Sequence, residues 1–160
     1  MSKLTIQTTA ADPTVAAATS QFLAPVVLGL QALVVNGKQA HWHVRGANFV
    51  GVHEFLDTLV AHAGDWADEA AERIVALGLP IDARLQTIAE KVPATAVGAG
   101  FEQSSDVIAK VVADIDGVLA DLQAAIDGLD EVDLTSQDVA IGIKAGLEKD
   151  RWFLVAHLAE

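Results

Sequence analysis

The sequence predicts an all-α protein, with four long helices packed as one bundle and a short extra helix in the crossover between the second and third. Two observations carry this. The composition is 52% hydrophobic but only 5% aromatic, with few prolines, which favours helices over a β-sandwich. Cap and stop signals also divide the chain into a few long stretches.

The first helix opens at Asp12-Pro13, an N-cap followed by proline at the first helical position. It runs to about Val44, with a kink or a late start near Pro25. Gly46 to Gly51 form a short turn. The second helix spans about Val52 to Leu77 and stops at Gly78-Leu79-Pro80. Residues 81 to 92, bounded by Pro80 and Pro93, form the short helix inside a long crossover. The third spans about Glu102 to Ile126 and ends at Gly128. Thr135 serves as N-cap of the fourth, with Asp138 at its N3 position, and that helix runs to about Leu158. No linker, repeat or low-complexity segment interrupts the chain, so residues 1–160 read as one domain with a flexible N-terminal tail over residues 1–12. A single long connection, between the second and third helices, is what a ferritin-like four-helix bundle requires.

Charge narrows the function. Ten Lys and Arg stand against 22 Asp and Glu, a formal net charge of −12. That balance disfavours phosphate backbones and attracts cations. With no cysteine, disulfides, Cys-type zinc sites and thiol chemistry are excluded, and the compartment stays open on that ground. Met1 to Thr9 lacks the apolar core of a signal peptide. Pro13 to Gly37 carries no charged residue, but Gln21, Pro25, Gln31, Asn36 and Gly37 interrupt it as a membrane span. Burial on two sides, by its own bundle and by a neighbouring copy, accounts for it, and so much apolar surface implies large subunit interfaces.

The second helix carries His53, Asp57, Asp68 and Glu72. At about 100° per residue, all four lie on one face, as two i,i+4 pairs. Asp57 and Asp68 are about 16 Å apart along the axis, too far to share an ion within one chain. An antiparallel second copy closes the gap: under a two-fold axis, the His53/Asp57 pair of one chain meets the Asp68/Glu72 pair of the other. The turn at Gly46 to Gly51 brings His41 beside His53. Two imidazoles and three carboxylates without thiolate suit iron(II), manganese(II) or zinc. Trp42, beside a ligand, is placed to pack on the site and donate electrons. No Glu-x-x-His motif of a di-iron site inside one bundle occurs, and neither does a nucleophile motif or a phosphate-binding glycine loop.

These residues resemble the Dps family of mini-ferritins. The match runs through His41-Trp42-His43-Val44-Arg45-Gly46, Phe49, His53, Asp57, Asp68, Ala71-Glu72-Arg73-Ile74 and Leu77-Gly78. Asp133 to Asp138 and Trp152-Phe153 to His157-Leu158 add to it, and the resemblance covers about Pro25 to Leu158. It implies a hollow cytoplasmic dodecamer that oxidises iron(II), preferably with hydrogen peroxide, at twelve intersubunit sites, stores ferric mineral and protects against oxidative stress. Asp133 and Asp138 are similar to the family's pore aspartates, and Glu54 could nucleate mineral. DNA-binding relatives carry basic tails. Here Lys3 is the one basic residue before Lys38 and none follows Arg151, so DNA binding is expected to be weak or absent. His43 stands where the family more often has Asn.

Plainer readings stand beside these. A lone i,i+4 acidic pair is usually solvated helix surface. His43, His62 and His157 are expected at the surface or an interface, and Trp66 and Trp152 in packing. Asp138 could be only a helix-dipole acid, and Asp114, Asp116 and Asp121 a solvated face. Two other functions compete with iron oxidation: a DNA-compacting structural protein, and a metal-dependent amide or ester hydrolase acting through metal-activated water as a secondary activity.

Overall fold

The structure, a computed structural model, describes residues 12–158. The elements are α1 (Pro13–His43), β1 (Val44–Arg45), α2 (Phe49–Ala76), α3 (Leu85–Lys91), β2 (Glu102–Gln103), α4 (Ser104–Leu129) and α5 (Leu134–Ala156). Four long helices and one short crossover helix are what the sequence predicts. Of the tail assigned to residues 1–12, residues 1–11 lie outside the described region.

The Asp12 carboxylate accepts from the Thr14 N–H at 2.7 Å, with Pro13 at the first helical position. The helix then runs unbroken through Pro25 to His43, so there is no late start. Pro25 has no N–H, and the Gln21 carbonyl therefore lacks its usual i+4 donor. Among the described residues α1 is the helix long and apolar enough to cross a membrane. It packs instead against α2 on one side and α4 on the other.

Leu23, Leu30 and Leu33 of α1 meet Leu56, Leu59 and Ile74 of α2, Ile108, Ile115 and Leu122 of α4, and Ile143 and Leu147 of α5 in one core. Each such side chain contributes about 1.5–3 kcal/mol by leaving water. A close approach sets the spacing of α1 and α2: a Cβ on Gly37 would lie 2.8 Å from Val60 Cγ2. That contact fixes the end of α1 against the start of α2, where His41 and His53 stand.

The crossover helix is shorter than expected, Leu85–Lys91, and several other boundaries also differ from expectation. The α2 helix begins at Phe49 rather than Val52, because Asn48 adopts a left-handed φ of 56° and its carbonyl accepts from the Val52 N–H at 3.0 Å. Asn tolerates that conformation better than most residues. At the start of α4, Glu102 and Gln103 pair in parallel with Val44 and Arg45, so the helix opens at Ser104, whose hydroxyl donates to the Ala47 carbonyl at 2.6 Å. This small pairing, unforeseen in the sequence, ties the crossover to the end of α1. Gly128 does not stop α4, which continues to Leu129. The missing side chain makes room instead, since a Cβ there would lie 2.2 Å from Phe22 Cζ.

The fourth long helix is capped by Asp133, not Thr135. The Asp133 carboxylate accepts from the Ser136 N–H at 3.2 Å, and the helix starts at Leu134. Ser136, not Asp138, therefore holds the N3 position. Asp138 sits two residues further in, on the exposed side.

Candidate metal centre

His41 closes α1 and His53 lies in the first turns of α2. Their rings stack with centroids 3.7 Å apart at 20°. Each ring also bonds to the other's backbone: His41 Nδ1 donates to the His53 carbonyl at 2.7 Å, and His53 Nδ1 donates to the His41 carbonyl at 2.9 Å. A carbonyl only accepts, so both protons sit on Nδ1 and both Nε2 lone pairs are left for a metal. Fixing the tautomer through the second ring nitrogen is how metal-binding histidines are usually held. Phe49 stacks on the outer face of His53 at 5.1 Å. His41 is buried and His53 half-buried.

Asp57, one turn beyond His53, approaches His41 Nδ1 to 3.4 Å and forms an ion pair with Lys38. The Lys38 hydrogen bond, with smaller help from the two histidines, holds the Asp57 carboxyl below the ordinary range. The carboxylate is thus ionised and oriented by a cation. Sequence reasoning missed Lys38, although its signal was there: it precedes His41 by three residues on the same face of α1.

Asp68 and Glu72 are exposed further along α2. Among the described residues of one chain, no group of three or more His, Asp and Glu stands close enough to hold an ion. The two histidine rings stack and Asp57 reaches His41 Nδ1, but the three do not form an ion-holding group; Asp68 and Glu72 stand apart, further along the same helix. Trp42 is 62% exposed, on the chain surface next to His41. Glu54 is also exposed.

Asp133 is committed elsewhere. Burial opposes its ionisation, but hydrogen bonds from Ser136 and Arg73 outweigh that and hold its pKa low. Arg73 Nη2 donates to it at 2.6 Å, and Arg73 Nε donates to Ser136 Oγ at 2.9 Å. Its carboxylate is a cap and an ion-pair partner, whereas Asp138 stays exposed.

The plainer expectations hold in part. His62 stays largely at the surface, its side chain 43% exposed, but its Nδ1 lies 2.7 Å from Oδ2 of Asp150, a carboxylate only 2% exposed. Trp66 packs across Gly146, where a Cβ would lie 2.3 Å from its ring. Trp152 is 63% exposed in the single chain. Asp116 pairs with Arg151 at the surface. Asp114 and Asp121 do not belong to a solvated face: both are half-buried, and burial raises both carboxyl pKa values.

Fold and histidine clamp together define a ferritin-like protein, and the ferritin-like domain family matches residues 29–160. The DNA protection during starvation protein of Mycolicibacterium smegmatis is 36% identical over 133 residues, covering 76% of this chain and 66% of that protein. Its counterpart from Agrobacterium fabrum is 33% identical, covering 77% and 76%. Among solved structures, Dps from Microbacterium arborescens in its high iron form superposes with a TM-score of 0.93 at 71% identity, over 96% of this chain and all of that one. The chain belongs to the Dps family.

Proposed function

We propose that this chain is a ferroxidase and iron-storage subunit whose metal centre is completed by a second copy. The observation that carries the reading is the reciprocal His41–His53 clamp, which leaves two Nε2 lone pairs free one helical turn from the ionised Asp57. The partner subunit's Asp68 and Glu72 supply the carboxylates that helix spacing denies to a single chain. Iron(II) is the substrate, and the nitrogen and oxygen donor set suits it.

Hydrogen peroxide accepts one electron from each of two iron(II) ions. The O–O bond breaks, two hydroxides form, and the ions become iron(III). The chain's part is to hold the ions with fixed donors, while Trp42 stands by to give up an electron to stray oxidising species. The −12 charge per chain draws cations to the particle. Asp138 is the better placed pore candidate, being exposed, and Glu54 is the candidate for mineral nucleation. The assembly is a hollow cytoplasmic dodecamer, active in the stress response. The relatives' name speaks of DNA protection; for this acidic chain we assign that protection to iron and peroxide removal rather than to binding phosphates.

The test is anaerobic iron(II) loading followed by peroxide, on protein sized by light scattering. Fast oxidation by a particle near twelve subunits supports the reading. A monomer or dimer that binds iron weakly and leaves it reduced overturns it.

A further inference from the structure

The turn that brings His53 back to His41 has little of its own to hold it. Arg45 to Asn48 are exposed, and Gly46 and Asn48 adopt left-handed φ values of 96° and 56°. Yet the reciprocal ring-to-carbonyl bonds of His41 and His53 need the end of α1 and the start of α2 in one fixed register.

The crossover supplies what the turn lacks, through the residues that lead into α4. The Phe101 ring lies under the Arg45 guanidinium, 3.3 Å from its centroid. Glu102 and Gln103 pair with Val44 and Arg45, and the Gln103 side chain fills the place a Cβ on Gly46 would take. Ser104 Oγ donates to the Ala47 carbonyl at 2.6 Å. This strap is itself anchored. The Glu102 carboxylate accepts from the Gly98 N–H at 2.6 Å and pairs with Lys110 of α4, while the Gly98 carbonyl accepts from Gln39 of α1 at 3.0 Å.

Ser104 stands out within the strap. It is the first residue of α4 and only 8% exposed, and α4 has no side-chain cap. A serine at a helix start commonly serves that helix's own N–H groups; this hydroxyl is turned outward onto the neighbouring turn instead. It acts where α2 begins. Next after Ala47, the Asn48 carbonyl accepts from the Val52 N–H, and Phe49 stacks on His53.

We infer that Ser104 is a positioning residue for the metal centre: it touches no metal, and through Ala47 it sets the register in which His41 and His53 clamp each other. The inference rests on the reading of that clamp as a ligand pair. A clamp formed only part of the time lowers metal affinity by the fraction formed.

The experiment is anaerobic titration of the assembled protein with cobalt(II), a redox-inert stand-in for iron(II), read by visible absorption. Amide hydrogen exchange of the metal-free protein is followed beside it. Ser104→Ala should weaken cobalt about fivefold, the worth of one neutral hydrogen bond, and speed exchange over residues 44–53, with particle size unchanged. Thr19→Val is the control. It deletes a buried hydroxyl 3.2 Å from Ser136 Oγ, about 33 Å back along α1 from His41, and should lower stability while cobalt affinity and exchange over 44–53 stay native. Native-like cobalt affinity in Ser104→Ala, or equal weakening in Thr19→Val, overturns the inference. If Ser104→Ala does not assemble, Phe101→Ala decides at a ring that is 63% exposed: weaker cobalt binding there supports the strap, and native-like binding overturns it. A native protein that takes up no cobalt overturns the metal centre itself, and the inference with it.

Discussion

Replacing Asp133 by Ala separates a structural carboxylate from a pore carboxylate. Asp133 joins three helices: it caps α5, it pairs with Arg73 of α2, and through Ser136 Oγ, 3.2 Å from Thr19 Oγ1, it reaches α1. Thr19 and Ser136 are fully buried. Loss of an N-cap costs about 1 kcal/mol. A hydrogen bond to a charged group is worth about 1.5–3 kcal/mol, discounted here because Arg73 and Asp133 remain about one-fifth exposed. Asp133→Ala should therefore destabilise the subunit by about 2–3 kcal/mol, a fall in Tm of roughly 5–10 °C for a domain of this size. Asp133→Asn keeps an acceptor for the Ser136 N–H and should lose about half as much. Asp138→Ala, at an exposed residue, should stay within about 0.5 kcal/mol. Thermal unfolding followed by far-UV circular dichroism reads all three. The pH dependence has a definite sign: a carboxylate whose folded pKa is lowered stabilises above its unfolded value, near 4, and that stability is lost as pH falls below it. An Asp133→Ala protein as stable as the native one, or Asp138→Ala equally damaged, would refute this division of labour.

Lys38→Met should raise iron(II) affinity a few-fold, because the ammonium that pairs with Asp57 competes with the metal; anaerobic titration checks it, and weaker binding would mean that Lys38 orients the site instead. Asp138→Asn should slow iron uptake more than peroxide consumption in stopped-flow absorbance. Gly146→Ala, which drives a Cβ to 2.3 Å from the Trp66 ring, should cost about 1–3 kcal/mol for overpacking, partly offset by a gain of about 1 kcal/mol in helix propensity. A net gain in Tm would show that the indole moves freely.

Helix number, the Asp12-Pro13 start and the stop at Gly78 were legible because each depends on adjacent residues. So was the separation of His53 and Asp57 from Asp68 and Glu72 along α2, which follows from helix rise alone. The misreadings came where distant chain competes for local signals. Thr135 carries the better local cap signature, but Asp133 also gains Arg73, sixty residues away. Gly128 looks like a stop, and its role is room for Phe22 of another helix. Asp114 and Asp121 carry no local sign of burial; the crossover lies against Asp114 and α1 against Asp121. The partner of His62, Asp150, went unseen because it is 88 residues on. Lys38 was open to helical spacing, since it shares a face with His41, but an ion pair with Asp57 needed the α1–α2 packing to be seen.

The most direct test of a centre built from two chains is complementation. Asp57→Ala and Asp68→Ala subunits, each slow in iron oxidation alone, are dissociated, mixed and reassembled. Under two-fold pairing, a heterologous interface restores one full ligand set and leaves the other doubly depleted. At equal mixing half the interfaces are heterologous, so roughly a quarter of native peroxide-driven oxidation should return. Mixed particles of native size that oxidise iron no faster than either parent would contradict the shared centre.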